Sequence, residues 1–207
     1  MARVALVKPE TVDDPEIAGI FEWVTQVEGA VPNHFYVEMN FPEHFKAKLG
    51  ATKVLWEMGE LSLEEIQHIG IAVSKANECE YCTAAFCTLL NYGLENDEDA
   101  TRDFVENGTE ALDDPRLKTI IDFALKANDD ARSLSDDDFA ALRALGLSDK
   151  GLVQLVHLVS DFASYNRLNQ AMQTDYDYRD FWRKAAFGWE RKAGEPEGDN
   201  SRGVRKD

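Results

Sequence analysis

The chain is predicted to be all-α. Apolar residues recur at helical spacing from residue 15 to about 190, strand-like alternation is nearly absent, and the periodic runs open on residues that cap helices. Ile17, Ile20, Phe21 and Val24 mark a first amphipathic helix, and the stretch 28–33, Glu-Gly-Ala-Val-Pro-Asn, is turn chemistry. Phe45, Leu49, Val54 and Leu55 mark a second helix, opened by Pro42, whose fixed φ suits a first helical position. Ser62 with Glu65 three residues on forms a capping box for a third helix, and Ile66, Ile69 and Val73 are its inner stripe.

Asn77 and Glu80 repeat the capping-box spacing and predict a helix from Asn77 that stops near Gly93. Further helices are expected over 115–127, 136–145 and 148–172, and the aromatic stretch 175–189 reads as a helix that packs on a neighbour or another subunit. Residues 191–207 are charged, with Gly, Pro and Ser and a single aliphatic, the composition of a mobile tail. One domain over 1–190 follows. Leu61-Ser62 with Ile66, Ile69, Val73 and Ser74 recurs as Leu147-Ser148 with Leu152, Leu155, Val159 and Ser160, which suggests two related helical pairs about an internal two-fold, with Tyr165 and Leu168 where the first copy has Cys79 and Cys82.

Composition removes several function classes. At 207 residues the chain can bury a sizeable core without a disulfide scaffold. Its 39 acidic residues against 22 basic give a net charge of −17, the wrong sign for a nucleic-acid partner. Acidic runs at 95–99 and 136–138 are expected to hydrate the surface, with Ser135 or Asp136 also able to cap a helix. Residues 1–9 lack a secretory-leader pattern and no apolar stretch is long enough to span a membrane, so a reducing, cytoplasmic compartment with no membrane partner is expected.

The local pattern that implies chemistry is Asn77-Glu78-Cys79-Glu80-Tyr81-Cys82. With Asn77 as N-cap, Cys79 and Cys82 fall at the second and fifth helical positions, near free backbone N–H groups and the positive dipole end, which favour a thiolate. Their i, i+3 spacing puts both sulfurs on one face, where one can attack and the other can resolve the product as a disulfide. Zinc would need two more ligands at recognisable spacing, and neither the three Cys nor the four His supply them. No bound metal or cofactor is expected, since nothing resembles a phosphate loop or haem site. The competing reading is that both cysteines are small buried hydrophobes.

The stretch 61–93, with Ile71-Ala72-Val73-Ser74-Lys75-Ala76-Asn77-Glu78-Cys79-Glu80-Tyr81-Cys82-Thr83-Ala84-Ala85, resembles the core of the AhpD-like, carboxymuconolactone decarboxylase superfamily. Residues 29–35 and Tyr165-Asn166-Arg167-Leu168-Asn169 resemble flanking segments of its peroxidase-related, alkylhydroperoxidase branch, so the likeness covers about 20–175. It implies an AhpD-like helical bundle that assembles as a homo-oligomer, a trimer, hexamer or related ring. It also implies that Cys82 attacks peroxide and Cys79 resolves it.

Two positions depart from the family pattern. Gln67 stands twelve residues before the first Cys, where a Glu is common, and Phe86 stands four after the second, where a His is common. An amide cannot take a proton from a thiol and a phenyl ring cannot relay one. Glu64, Glu65 and His68 neighbour Gln67 and are candidate substitutes, and the Tyr81 hydroxyl is a candidate donor to a leaving oxygen. Cys87 lies on nearly the opposite helical face and is read as a buried structural thiol, His157 as a core residue, and His34 and His44 as too isolated for a metal site.

The expected function is a peroxiredoxin-type, thiol-dependent peroxidase or disulfide oxidoreductase of low turnover, which reduces a hydroperoxide and is restored by an external dithiol or protein donor. The alternative is a non-catalytic oligomer that binds a small apolar ligand or a protein. Lactone decarboxylation ranks last, because the cysteines would have no task in it.

Overall fold

Caps fix most of the helix starts. In the computed structural model, which describes residues 1–8 and 13–204, Asp14 accepts from the N–H groups of Glu16 and Ile17 and opens α1 (Pro15–Glu28). The short α2 (Asn33–Glu38) follows, and Pro42 begins α3 (Pro42–Glu57). The Ser62–Glu65 capping box is formed and opens α4 (Leu63–Ala76). α5 (Glu80–Thr88) runs into a π-helical turn, Leu89–Gly93. Asp97 caps α6 (Glu98–Asn107), Asp114 caps α7 (Pro115–Asp130), and a Ser135–Asp138 capping box opens α8 (Asp136–Ala144). Ser148 caps α9 (Asp149–Met172), and α10 (Asp180–Phe187) comes last. Among the described residues there is no strand, and no helix is long and apolar enough to cross a membrane.

Two apolar cores result. α4 is buried on most of its surface and packs on α5, α7 and α9, with Ile66, Ile69, Ile120, Ile121, Leu155 and Phe162 among the side chains sealed there. A smaller core joins Ile17, Phe21 and Val24 of α1, Phe35 of α2 and Phe45 and Leu49 of α3. Polar clamps tie α3 to α9: Lys48 Nζ lies 2.6 Å from Asp161, and the Thr52 hydroxyl donates to the same carboxylate at 2.7 Å.

Several expectations change here. Asn77 ends α4 rather than opening α5, because Glu78 turns left-handed at φ 55° and delays the next helix by two residues. α2 and α6 were not anticipated, and only Asp180–Phe187 of the stretch 175–189 is helical. His157 is exposed, on the outer face of α9. The internal repeat is not confirmed: Ser62 and Ser148 both cap helices, but α9 continues unbroken for 24 residues where the first copy divides into α4 and α5. Within the stretch expected as a tail, Arg202 is buried, with its guanidinium 4.9 Å from the Tyr178 ring centroid and 3.0 Å from Asp177. Residues 205–207 lie outside the described residues.

One glycine sets a close approach that the site depends on. A Cβ at Gly70 would lie 2.5 Å from the Phe86 ring, which rests on the bare backbone of α4. Gly70→Ala is therefore expected to cost about 1–3 kcal/mol through overpacking. A urea midpoint equal to that of the wild type would contradict this packing.

Candidate active site

The thiols sit where the α4–α5 turn is pinned by amides. Asn77 Nδ2 donates to Asn166 Oδ1 at 2.9 Å and to Asn128 Oδ1 at 3.0 Å, and Asn166 Nδ2 donates to Ser74 Oγ at 2.9 Å. This ties the turn to α9 and α7 and makes Cys79 the N-cap of α5, its sulfur accepting from the Cys82 N–H at 3.3 Å. Cys79 Sγ donates to Cys82 Sγ at 2.7 Å, and Asn169 Nδ2 donates to Cys82 Sγ at 3.3 Å. The two sulfurs are thus within roughly an ångström of the ~2.05 Å bond of a disulfide.

The surroundings treat the two thiols differently. Burial opposes ionisation of Cys82, but hydrogen bonds from Cys79, Asn166 and Asn169 outweigh it and hold that thiol below its ordinary range. Cys79 is pushed far up, first by its hydrogen bond to Cys82 and then by burial. Of the two, Cys82, at the N-terminal end of α5, is therefore the thiol that ionises more readily, and Cys79 the one that keeps its proton longer.

A cavity of about 210 Å³ opens between the two cores. Its walls are mostly apolar and aromatic, with Trp23, Phe35, Trp56, Phe86 and Phe162 among them, and Cys82 lines it while Cys79 does not. Lys53 and Glu57, both exposed and 3.6 Å apart, belong to the same wall of α3. Two buried amide oxygens on the lining residues, Gln67 Oε1 and Asn169 Oδ1, have no hydrogen-bond partner among the described residues.

The residues singled out from the sequence separate into two groups. Cys82, Tyr81, Gln67 and Phe86 meet at the cavity. Tyr81 is committed elsewhere, since its hydroxyl donates to Asp177 at 2.7 Å and accepts from the His34 backbone N–H at 3.0 Å. Phe86 packs edge-on against Phe162 at 4.6 Å, a hydrophobic contact in place of a relay. His68 is buried away from the cavity, its Nδ1 2.8 Å from the Glu64 carbonyl and its ring 4.8 Å from Phe104. Glu65 caps α4 and pairs with Arg116 at 2.6 Å, also outside the cavity. Cys87 is buried, and burial pushes its thiol up. No group of three or more His, Cys, Asp or Glu among the described residues is placed to hold a metal.

Four further residues line the cavity without having been assigned a catalytic role from the sequence. Glu28 and His34 come from the ends of α1 and α2, while Tyr165 and Asn169 lie one turn apart on α9. His34 is held neutral, its imidazole pushed down to about 3 by burial and by the charges of Arg202 and Lys48. Glu28 is moved the opposite way, to about 7, by burial, against the hydrogen bond from Tyr178 and the charge of Arg202.

The sequence matches no protein-family model and no curated protein. Solved structures match over most of the chain. An uncharacterized peroxidase-related protein with an alkylhydroperoxidase AhpD core, from Ralstonia eutropha JMP134, superposes with a TM-score of 0.77 at 24% identity, over 89% of this chain and 96% of that one. A peroxidase-related protein from Silicibacter sp. TM1040 gives 0.74 at 23%, over 87% and 92%. The debrominase Bmp8 gives 0.70 at 19%, over 89% and 96%. The chain therefore has the all-helical AhpD-like fold.

Proposed function

We propose that this cavity is a thiol-dependent reduction site in which Cys82 attacks a hydroperoxide with an apolar body and Cys79 resolves the product. The observation that carries the reading is that Cys82 alone of the pair faces the cavity, with the Cys79 sulfur 2.7 Å behind it. The attacked oxygen passes to Cys82 as a sulfenic acid, the alcohol leaves, and Cys79 then condenses with the sulfenic acid and releases water. An external dithiol restores the pair. Self-association belongs to the same proposal, supported by exposed Val54 on α3, Met58 just past its end, and Val153 and Val156 on α9, apolar side chains of the kind that interfaces cover.

The test is to treat reduced protein with one equivalent of cumene hydroperoxide and map its thiols by mass spectrometry. A Cys79–Cys82 disulfide, formed with one equivalent of alcohol, is expected. Thiols that survive while the hydroperoxide persists would leave only a binding role for the cavity.

A second reading has its own support in the aromatic walls. A structure of a cysteine-to-alanine variant of Bmp8 is a complex with 2,3,4-tribromopyrrole, and a flat haloaromatic suits Trp23, Trp56 and Phe162. Replacing one C–Br by C–H would consume the same two electrons, closing the disulfide and releasing bromide. Bromide release from that pyrrole by the reduced protein, with hydroperoxide left intact, would select this reading.

A further inference from the structure

We propose that Glu28, carried to the cavity wall by the last turn of α1, supplies the proton that leaves with the alcohol when the Cys82 thiolate cleaves a hydroperoxide; this rests on the peroxide-reducing reading above. The step needs an acid, because an alkoxide is a poor leaving group and the thiolate brings no proton. The positions at which the resemblance implies a relay hold Gln67 and Phe86, which carry none.

The other candidates are removed by their surroundings. The Tyr81 hydroxyl already donates to Asp177, and burial with the nearby Asp177 charge raises it further from ionisation. Tyr165 is likewise pushed up, by burial first. His34 has no hydrogen bond to its ring from the described residues and stays neutral, so it can accept a proton only weakly. His68 and Glu65 do not line the cavity. Glu57 is exposed to solvent and committed to its ion pair with Lys53.

Glu28 differs on each count. It lines the cavity with only 4% of its surface exposed, and its Oε2 accepts from the Tyr178 hydroxyl at 2.7 Å, which fixes the carboxyl in place. Burial raises it to about 7, so near neutrality it holds a proton about as often as not and can both give it and regain it. The titratable groups around it are Tyr178, Asp177 and Arg202 from the C-terminal segment, Tyr81 from α5, His34 from α2, and Tyr92 of the π turn, which packs beside Gly29.

The bookkeeping of atoms closes. The Cys82 thiolate bonds the terminal oxygen of the hydroperoxide and the O–O bond breaks. The departing alkoxide takes the Glu28 proton, leaving Cys82 sulfenic acid, the alcohol and the Glu28 carboxylate. Cys79 attacks the sulfenic sulfur, and its own proton leaves with the hydroxyl as water. When an external dithiol reduces the disulfide, two thiol protons enter: one returns to Cys79 and the other to Glu28, while Cys82 remains a thiolate.

The experiment is single-turnover oxidation of reduced protein by cumene hydroperoxide as a function of pH, quenched by alkylation and read by mass spectrometry. In the wild type the profile should have two limbs, one set by Cys82 and one near pH 7 set by Glu28. Glu28→Gln keeps the shape and can still accept from Tyr178. It should slow the step about a hundredfold and leave only the thiol limb. Tyr178→Phe removes a donor that lowers Glu28 and should shift the second limb upward, a change that a merely structural carboxylate would not produce. Both limbs persisting unchanged in both variants would overturn the role of Glu28 alone. Absence of any Cys82-dependent oxidation in the wild type would instead remove the peroxide reading, and this inference with it.

Discussion

Cys82→Ser is expected to reduce hydroperoxide loss to the rate of protein-free buffer, whereas Cys79→Ser should keep one turnover and lose the rest. Serine at 82 preserves the helix and the Asn169 contact but offers a hydroxyl that does not ionise near neutral pH, so no nucleophile remains on the cavity wall. At 79 the outcome differs because serine is a good N-cap and its hydroxyl can still donate to the Cys82 sulfur, the interaction that most favours the thiolate there. The first attack therefore survives, and a sulfenic acid should accumulate on Cys82 for lack of a resolving thiol, detectable as a dimedone adduct by mass spectrometry. Continued consumption by the Cys82→Ser protein, or an adduct on Cys79 in place of Cys82, would reverse or remove the assigned roles.

Much of the helical frame was legible because capping is local. Ser62 with Glu65, Ser148, and the prolines at 15, 42 and 115 act within a few residues of themselves, and the structure uses each at a helix start. α6 escaped notice because its buried stripe is only Thr101, Phe104 and Val105, while its cap and first turn, Asp97 to Asp99, read equally well as a hydrated acidic run. The two-residue error at Asn77 has a similar cause: its amide suits either end of a helix, and the choice is made by Asn166 and Asn128, far away in sequence.

The candidate site divides the same way. Cys79 and Cys82 were visible because their chemistry and spacing are adjacent in the chain. Glu28 and His34 were not, since a glutamate before Gly29 and a histidine before Phe35 look like turn residues until α1 and α2 fold over α5. His68 was a reasonable substitute for the missing relay by sequence proximity alone. Its helical position turns it toward Phe104 on α6, one-quarter turn from the Gln67 side that faces the cavity.

Restoring the relay supplies the second large effect. Gln67→Glu combined with Phe86→His is expected to accelerate peroxide reduction by about a hundredfold or more, the usual worth of a positioned acid/base group. The positions are suited to each other: Gln67 and Gly70 lie one turn apart on α4, and the Phe86 ring rests on Gly70, so the new carboxylate and imidazole would face one another beside Cys82. Each single change should do worse than the pair. A carboxylate alone would be buried without a donor, as the Gln67 oxygen already is, and an imidazole alone would exchange the Phe162 contact for an unpaired ring nitrogen, each costing about 1–3 kcal/mol. Together they satisfy one another, so stability and rate should both show positive coupling in a double-mutant cycle. Additive behaviour in rate, or a double variant no faster than the wild type, would mean that a second proton carrier adds nothing to what Glu28 already supplies. Access to the cavity, whose walls include Trp23 and Trp56, would then be the step to measure.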